Sequence, residues 1–519
     1  MKPIAVLLAA TALVAGAPSF AQITAVSITG GKVEGVRQDG LGIFKGIPFA
    51  APPTGANRWR APQPVAGWSG IKKADAFAPG CMQDTSFAAM MGAPTNVSED
   101  CLYLNVWTPA KAAGEKLPVM VWIYGGGFAG GMTGIPTYDG ANLAHKGVVL
   151  VSIAYRVGPF GFLAHPALSA ESGQGSGNYG LEDQIAGLRW VRDNIARFGG
   201  DPANVTIFGE SAGGISVSML AASPLAKGLF AKAISESGGN FGSAKKDDEG
   251  GLNMPTLPGA EAQGARFFQT LGAADLKAAR ALPADAIQKQ AGPMGTFWPN
   301  FDGYVLPGDQ YRLYEEGRFN DTPILIGTNS DEGALFARPG VTAANFVADV
   351  RKGYGTKADA ILAVYPHATD AEAVRSSKDL FRDTAFAWHT WVWARLQTSK
   401  GKGRAFVYYF DHRTPKSPDG SNHGSEIAYV FDNLGGPSGP PSDTDKRLAH
   451  QFSSYWVNFA KTGDPNGGGL PAWPAFTAAN EQVMGLGDKT GPMPVPHLDK
   501  LKTLDGYYAW RRGDAAAGQ

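Results

Sequence analysis

Val205-Thr206-Ile207-Phe208-Gly209-Glu210-Ser211-Ala212-Gly213-Gly214 decides how the rest of the chain is read. Four β-favouring residues run straight into Gly-x-Ser-x-Gly. A small-residue segment of helical potential follows over residues 215–222 and stops at Ser223-Pro224. Strand, serine, helix is the order in which a serine is presented at the tip of a sharp turn. Backbone must pass close to such a turn, and Gly209 and Gly213, lacking Cβ, allow it. In a chain with 69 glycines a bare Gly-x-Ser-x-Gly carries little information. Its place between a strand-like run and a helix is what makes Ser211 a candidate nucleophile.

Around this stretch lie other short apolar runs, at residues 119–124, 148–155, 231–235, 323–327 and 406–410. They lack polar alternation, as strands buried on both faces of a mostly parallel sheet do. Between two of them, Leu181, Ile185, Leu188, Val191 and Ile195 fall at helical spacing, with Glu182, Asp183, Arg192 and Asp193 elsewhere on the turn. Alternation of this kind predicts an α/β fold, a doubly wound sheet with large insertions at about residues 242–298 and 336–404. The second insertion is helical in pattern and rich in aromatics (Phe381, Phe386, Trp388, Trp391, Trp393), which read mainly as packing between helices and alternatively as a gorge wall. Residues 23–36 suggest small edge strands, and the Pro- and aromatic-rich stretch over residues 46–62 reads as an ordered wrap on the core.

Composition narrows the partners. With 519 residues, 44% of them hydrophobic, the chain can bury a large core; 46 basic residues balance 46 acidic ones, so neither a nucleic-acid face nor an acidic tail is indicated. A small neutral or apolar molecule is the expected partner. Lys2, the apolar run over residues 4–16 and Ser19-Phe20-Ala21 form a signal-peptide pattern, cleaved after Ala21. The expectation is a signal peptide at 1–21, a single domain at 22–519, no membrane anchor after cleavage, and a periplasmic or secreted location. Cys81 and Cys101 are the only cysteines. In an exported chain they suggest one disulfide closing a loop of roughly 20 residues, worth on the order of 3 kcal/mol.

A serine at such a turn needs a base, a group that orients the base, and donors for an oxyanion. Trp122-Ile123-Tyr124-Gly125-Gly126-Gly127-Phe128 supplies three consecutive glycines after an earlier run. Their N–H groups, with that of Ala212, could converge on a substrate oxygen. In the α/β-hydrolase layout the acid and then the histidine follow the serine. Asp331 and Glu332 both stand after the run at 323–327, and position alone does not separate them. Among the later histidines, His423 lies in the polar loop Gly420-Ser421-Asn422-His423-Gly424-Ser425-Glu426. His389, among tryptophans, reads as a packed histidine, and His412 lies too close behind its strand.

The chain resembles the type B carboxylesterase and cholinesterase family over nearly its whole length. The resemblance is carried by Phe44-Lys45-Gly46-Ile47-Pro48-Phe49-Ala50, Glu99-Asp100-Cys101-Leu102-Tyr103-Leu104-Asn105-Val106 and Tyr155-Arg156-Val157-Gly158. Asn178-Tyr179-Gly180-Leu181-Glu182-Asp183-Gln184, Phe198-Gly199-Gly200-Asp201-Pro202 and residues 208–214 add to it. It implies an α/β-hydrolase fold whose helical insertions form an active-site gorge. It further implies Ser211 as nucleophile, His423 as base, Glu332 rather than Asp331 as acid, and Gly126, Gly127 and Ala212 as oxyanion donors. The Cys81–Cys101 pair matches the family's first disulfide, and Arg58 with Glu99 and Arg156 with Asp183 match its two structural ion pairs. Glu210 resembles an acid that tunes the site; Ser237 either supports it or is a strand-end serine without a role. Cholinesterases carry a tryptophan in the first disulfide loop, but here Met82 to Asp100 holds none, with Phe87, Met90 and Met91 among its apolar residues, which argues against choline esters.

The expected activity is hydrolysis of small-molecule carboxylic esters through an acyl-enzyme, with no metal or cofactor needed. Phe241, Phe297 and Trp298 are candidates for the acyl-side wall. A lipase or amidase on the same residues, or a non-catalytic binding relative, are the competing readings. Oligomeric state is not legible in the sequence.

Overall fold

The computed structural model describes residues 22–245, 253–435 and 440–514. The leader expected at 1–21 lies outside them. Eleven strands make the main sheet. They are β1 (Val36–Gln38), β2 (Leu41–Pro48), β3 (Tyr103–Thr108), β4 (Leu117–Ile123), β5 (Val149–Ile153), β6 (Gly200–Glu210), β7 (Lys232–Glu236), β8 (Ile324–Asn329), β9 (Ala405–Asp411), β10 (Gln482–Gly487) and β11 (Gly491–Pro494). In space the order is β11-β10-β9-β8-β7-β6-β4-β5-β3-β2-β1. From β5 across to β10 every pairing is parallel, and antiparallel strands finish both edges.

Each apolar run read as a buried strand falls in this parallel centre, and β5, β7 and β8 are buried along their whole length. The reason is geometric: helices cover both faces of such a sheet, so alternation would place polar groups in the core. The helix read from its apolar stripe is α1 (Tyr179–Asn194), and α2 (Ala212–Ala222) follows the serine. The second insertion holds α3 (Asp370–Arg382) and α4 (Trp388–Lys400), joined by a π-helical turn over Asp383–Ala387. Toward the C-terminus α5 (Asp443–Thr462) lies close to β4 and β6.

Two expectations are corrected. The proline-rich wrap does not begin at residue 46, because Gly46, Ile47 and Pro48 close strand β2. Its strand character is masked by glycines that the structure requires. A Cβ on Gly42 would lie 2.2 Å from the carbonyl oxygen of Ile23, and Gly46, at φ 77°, sits at a register shift against β3. The residues read as edge strands are only partly in the main sheet. Ala25–Ile28, Gly31–Glu34 and Ile71–Lys73 form a separate three-stranded sheet with Gly31–Glu34 in the middle.

Cys81 and Cys101 are bonded, with Cα atoms 5.0 Å apart. Beside them Arg58 holds Glu99 through two 2.6 Å hydrogen bonds and donates to the carbonyl oxygens of Ala279, Arg280 and Leu282. Arg156 holds Asp183 through two 2.8 Å bonds, with both side chains buried. Removing one member of that buried pair leaves a charge without its partner, a change worth about 3–5 kcal/mol.

Backbone packs very closely at the turn after β6. A Cβ on Gly213 would stand 2.0 Å from the carbonyl oxygen of Ile123, at the end of neighbouring β4, and one on Gly209 would stand 2.5 Å from the same atom. Neither contact can relax, since the atom struck is backbone in the middle of a sheet. Gly213→Ala should destabilise the protein by about 3 kcal/mol or more, read from denaturant unfolding. A loss below about 1 kcal/mol would mean that the turn is not held against β4.

Candidate active site

Ser211 occupies the turn between β6 and α2 at φ 55° and ψ −124°, a conformation that non-glycine residues avoid. It is held there from both sides. Its N–H donates to the carbonyl oxygen of Glu236 at the end of β7 (2.8 Å), and its own carbonyl receives the N–H of Ile215 (2.7 Å). Strain of this kind persists where surrounding structure over-determines it.

His423 stands between Ser211 and Glu332. Its Nε2 is 2.8 Å from Ser211 Oγ and its Nδ1 is 2.5 Å from Glu332 Oε2. The histidine loop is stapled to two strands through Ser421. That residue's N–H reaches Ser330 Oγ, its carbonyl receives the N–H of Asp331, and its hydroxyl bonds the backbone of His412 after β9. Position alone left Asp331 and Glu332 open; here the imidazole meets Glu332, which is fully buried, while Asp331 is half-exposed. The other oxygen of Glu332 accepts from Ser237 Oγ (2.5 Å) and from the Asn329 N–H (2.7 Å). Ser237 is therefore in contact with the acid.

The glycine-rich loop after β4 lies against the serine, since a Cβ on Gly125 would be 3.0 Å from Ser211 Cβ. Gly126 and Gly127 adopt φ of 109° and 61°. The N–H groups of Gly126, Gly127 and Ala212 donate to no other described residue. The base of the loop is fixed by a reciprocal pair. Tyr124 and Tyr155 stack at 4.5 Å, and each hydroxyl donates to the other's carbonyl oxygen.

Charge is concentrated here. Glu210 Oε1 lies 3.2 Å from His423 Nε2 and accepts no hydrogen bond from a described residue. Burial pushes the Glu210 carboxyl up, His423 pulls it down and Glu332 pushes it up again, leaving it at about 7. Burial alone would lower the imidazole of His423, but Glu210 and Glu332 outweigh it and hold it up at about 9. Two further buried carboxyls stand behind. Glu426 accepts from Asn329 Nδ2 (2.5 Å) and is pushed by burial and by Glu210 to about 8; Glu236 accepts from Trp456 Nε1 (2.8 Å) and is raised by burial and by Glu426. Among the described residues no group of side chains could hold a metal ion.

The aromatic expectations divide. Trp388, Trp391 and Trp393 are buried packing, and His389 is a packed histidine that accepts from the Phe241 N–H and lies 3.0 Å from the Thr384 carbonyl, with burial lowering its pKa to about 4. Phe386 instead lies flat on His423, rings 4.6 Å apart, placed there by the π-helical turn. Phe241 is fully buried against Tyr314 and Trp393, a core position and not an exposed wall. Phe297 and Trp298 line a cavity of about 410 Å³, and Trp298 meets Phe128 edge to face at 4.8 Å. Sequence reasoning gave no role to Glu426, Asn329 or Met294. Met294 is 59% exposed, with its thioether packed on Gly127. A glutamate three residues beyond the histidine was a usable signal; nothing local marked the other two.

A mostly parallel sheet with a strained serine at a strand-to-helix turn, met by a later carboxylate and imidazole, defines an α/β-hydrolase. The chain matches the carboxylesterase family model over residues 22–500. It is 39% identical to a fumonisin B1 esterase of Sphingopyxis macrogoltabida, covering 89% of this chain and 86% of that one. With a para-nitrobenzyl esterase of Bacillus subtilis (strain 168) the identity is 35%, covering 91% and 97%. A solved PNB esterase structure superposes with TM-score 0.82 at 34% identity, covering 93% of this chain and 99% of that chain. The protein belongs to the carboxylesterase family and is a carboxylic ester hydrolase.

Glu210→Gln removes one of the three carboxylate charges, those of Glu210, Glu332 and Glu426, that raise the imidazole. The titration of His423, followed through the low-field proton of its bond to Glu332, should move to lower pH by about 1 unit or more. An unmoved titration would mean that Glu210 carries no charge beside it.

Proposed function

We propose that the protein hydrolyses small-molecule carboxylic esters through an acyl-enzyme formed on Ser211. The observation that carries the reading is the single imidazole, His423, within hydrogen-bond reach of both Ser211 and Glu332 while three backbone amides nearby remain unspent. His423 in its neutral form, which deprotonation near pH 9 supplies, takes the proton of Ser211 as its oxygen attacks the ester carbonyl, and Glu332 holds the ring and stabilises its charge. The tetrahedral oxyanion is received by the amides of Gly126, Gly127 and Ala212, each worth about 10²–10³ in rate. His423 then protonates the departing alcohol, and a water repeats the sequence to free the acid. Glu210 and Glu332 favour the imidazolium in both steps, because each forms a positive ring between two carboxylates.

Trp298 is the better candidate for contact with the acyl or alcohol group, since its ring meets Phe128 of the glycine loop, and Phe297 lies next to it in the chain; the cavity these two line is bounded by neither Ser211 nor a residue of that loop. We also read the chain as exported. The Cys81–Cys101 bond fits an oxidising compartment, and among the described residues no helix is long and apolar enough to cross a membrane.

Hydrolysis of 4-nitrophenyl esters from C2 to C16 tests the reading. Ser211→Ala should lose activity by about 10³-fold or more at every length, with the fold intact by circular dichroism. A variant that kept its rate would exclude Ser211 as the nucleophile. A wild-type optimum on long-chain emulsions, not on short soluble esters, would favour a lipase.

A further inference from the structure

Four of the seven residues of the glycine-rich loop at 125–131 lie at positive φ: Gly126, Gly127, Phe128 and Gly131. A segment in such conformations is not held by its own preferences. Glycine backbones lose the most freedom on ordering, and Phe128 at φ 55° is strained. Inside the loop only the N–H groups of Ala129 and Gly130 find a partner, both on the Gly126 carbonyl. The geometry that presents Gly126 and Gly127 must therefore come from outside the loop.

One outside hold is the N–H of Gly158 on the carbonyl oxygen of Phe128 (2.6 Å). The other is the side chain of Gln83. Its Oε1 accepts from the Gly131 N–H (2.7 Å), and its Nε2 donates to the Gly131 carbonyl (2.8 Å) and to the carbonyl of Cys81 (2.9 Å). Gln83 thus presents one donor and one acceptor to a single residue, as a neighbouring strand would, and its carboxamide has no hydrogen left to donate. It is buried, at 4% exposure, and packs so closely that a Cβ on Gly130 would stand 3.0 Å from its oxygen. Gly131 in turn lies on the start of the loop, since a Cβ there would be 2.4 Å from the Gly125 carbonyl oxygen. Fixing Gly131 therefore fixes where the loop begins as well as where it ends.

Gln83 is itself anchored. It lies two residues after Cys81, whose bond to Cys101 and the neighbouring grip of Arg58 on Glu99 tie down both ends of the disulfide loop. We propose that Gln83 is a positioning residue for ester hydrolysis: by acting as a surrogate strand for Gly131 it sets the amides of Gly126 and Gly127, and it couples the disulfide loop to the oxyanion site. This rests on the reading of those amides as oxyanion donors. Gln83 touches no reacting atom, so its effect falls on the transition state, where the oxyanion is fullest, and not on substrate affinity.

The test compares wild type, Gln83→Leu, Gln83→Glu and Ser211→Ala on a short-chain 4-nitrophenyl ester, with active sites counted by complete fluorophosphonate titration. For Gln83→Leu, kcat per titrated site should fall by about 10- to 100-fold, part of the loss seen when an oxyanion donor is removed outright. KM should stay within about twofold, and affinity for a trifluoromethyl ketone, which forms an oxyanion adduct, should fall with kcat. Gln83→Glu keeps the acceptor and, when ionised, lacks both donors; protonation restores one toward the Gly131 carbonyl. Its kcat relative to wild type should therefore rise as pH falls, and this decides the matter if the leucine variant does not fold. A Gln83→Leu kcat per site within twofold of wild type, or a Gln83→Glu ratio flat with pH, overturns the proposal. Activity retained in Ser211→Ala would instead overturn the serine reading beneath it.

Discussion

The architecture depends on one close approach, the carbonyl oxygen of Ile123 against the backbone of Gly209 and Gly213. That oxygen ends β4, and the two glycines bracket the serine after β6. Because nothing separates the strands there, the loop leaving β4 has to start beside Ser211. The serine's positive φ, the helix start at Ala212 and the glycine loop are then consequences of one packing contact. A side chain at either glycine would push apart the segments that must meet.

Around this rigid corner the protein gathers four buried carboxyls, Glu210, Glu236, Glu332 and Glu426, and one imidazole that meets two of them. Desolvation would be prohibitive if all four were ionised, and the upward shifts of Glu210, Glu236 and Glu426 reflect it. Glu332 differs in having two hydrogen bonds to one oxygen and an imidazole on the other. More close donors in the cluster converge on this carboxyl, the one that also meets His423 Nδ1, than on its neighbours. This is why Ser237 and Asn329 matter although neither approaches the serine.

Much of this was legible in the sequence, and the physical reasons are specific. The central strands could be read because a sheet covered on both faces leaves uninterrupted apolar runs. The serine turn could be read because its steric demands fall on adjacent positions. Strands β2, β3, β10 and β11 were not in that reading: they lie toward the edges, and glycines at positions such as 42, 46, 485 and 491 dilute the pattern of β2, β10 and β11, while β3 has a polar residue, Asn105, in its apolar run. The choice of Glu332 over Asp331 came from family resemblance; in the structure it turns on which of two adjacent carboxyls faces inward at the end of a strand. Contacts made across long separations, such as Phe386 on His423 or Met294 on Gly127, had no local signature. Phe241 shows the reverse difficulty, an aromatic near the serine in sequence that is spent on the core.

The π-helical turn at Asp383–Ala387 bears on how the second insertion can vary in length. A π turn accommodates one residue more than a regular helix would over the same rise. Taking one residue out would let α3 run into α4 without interruption, with the helical core intact. Each residue of helix also turns its successors by about 100°. The ring now lying on His423 would then point along another bearing, while α4 and its buried tryptophans kept their register. A length change that a stability screen scores as silent would thus be recorded at the imidazole, more than thirty residues away along the chain.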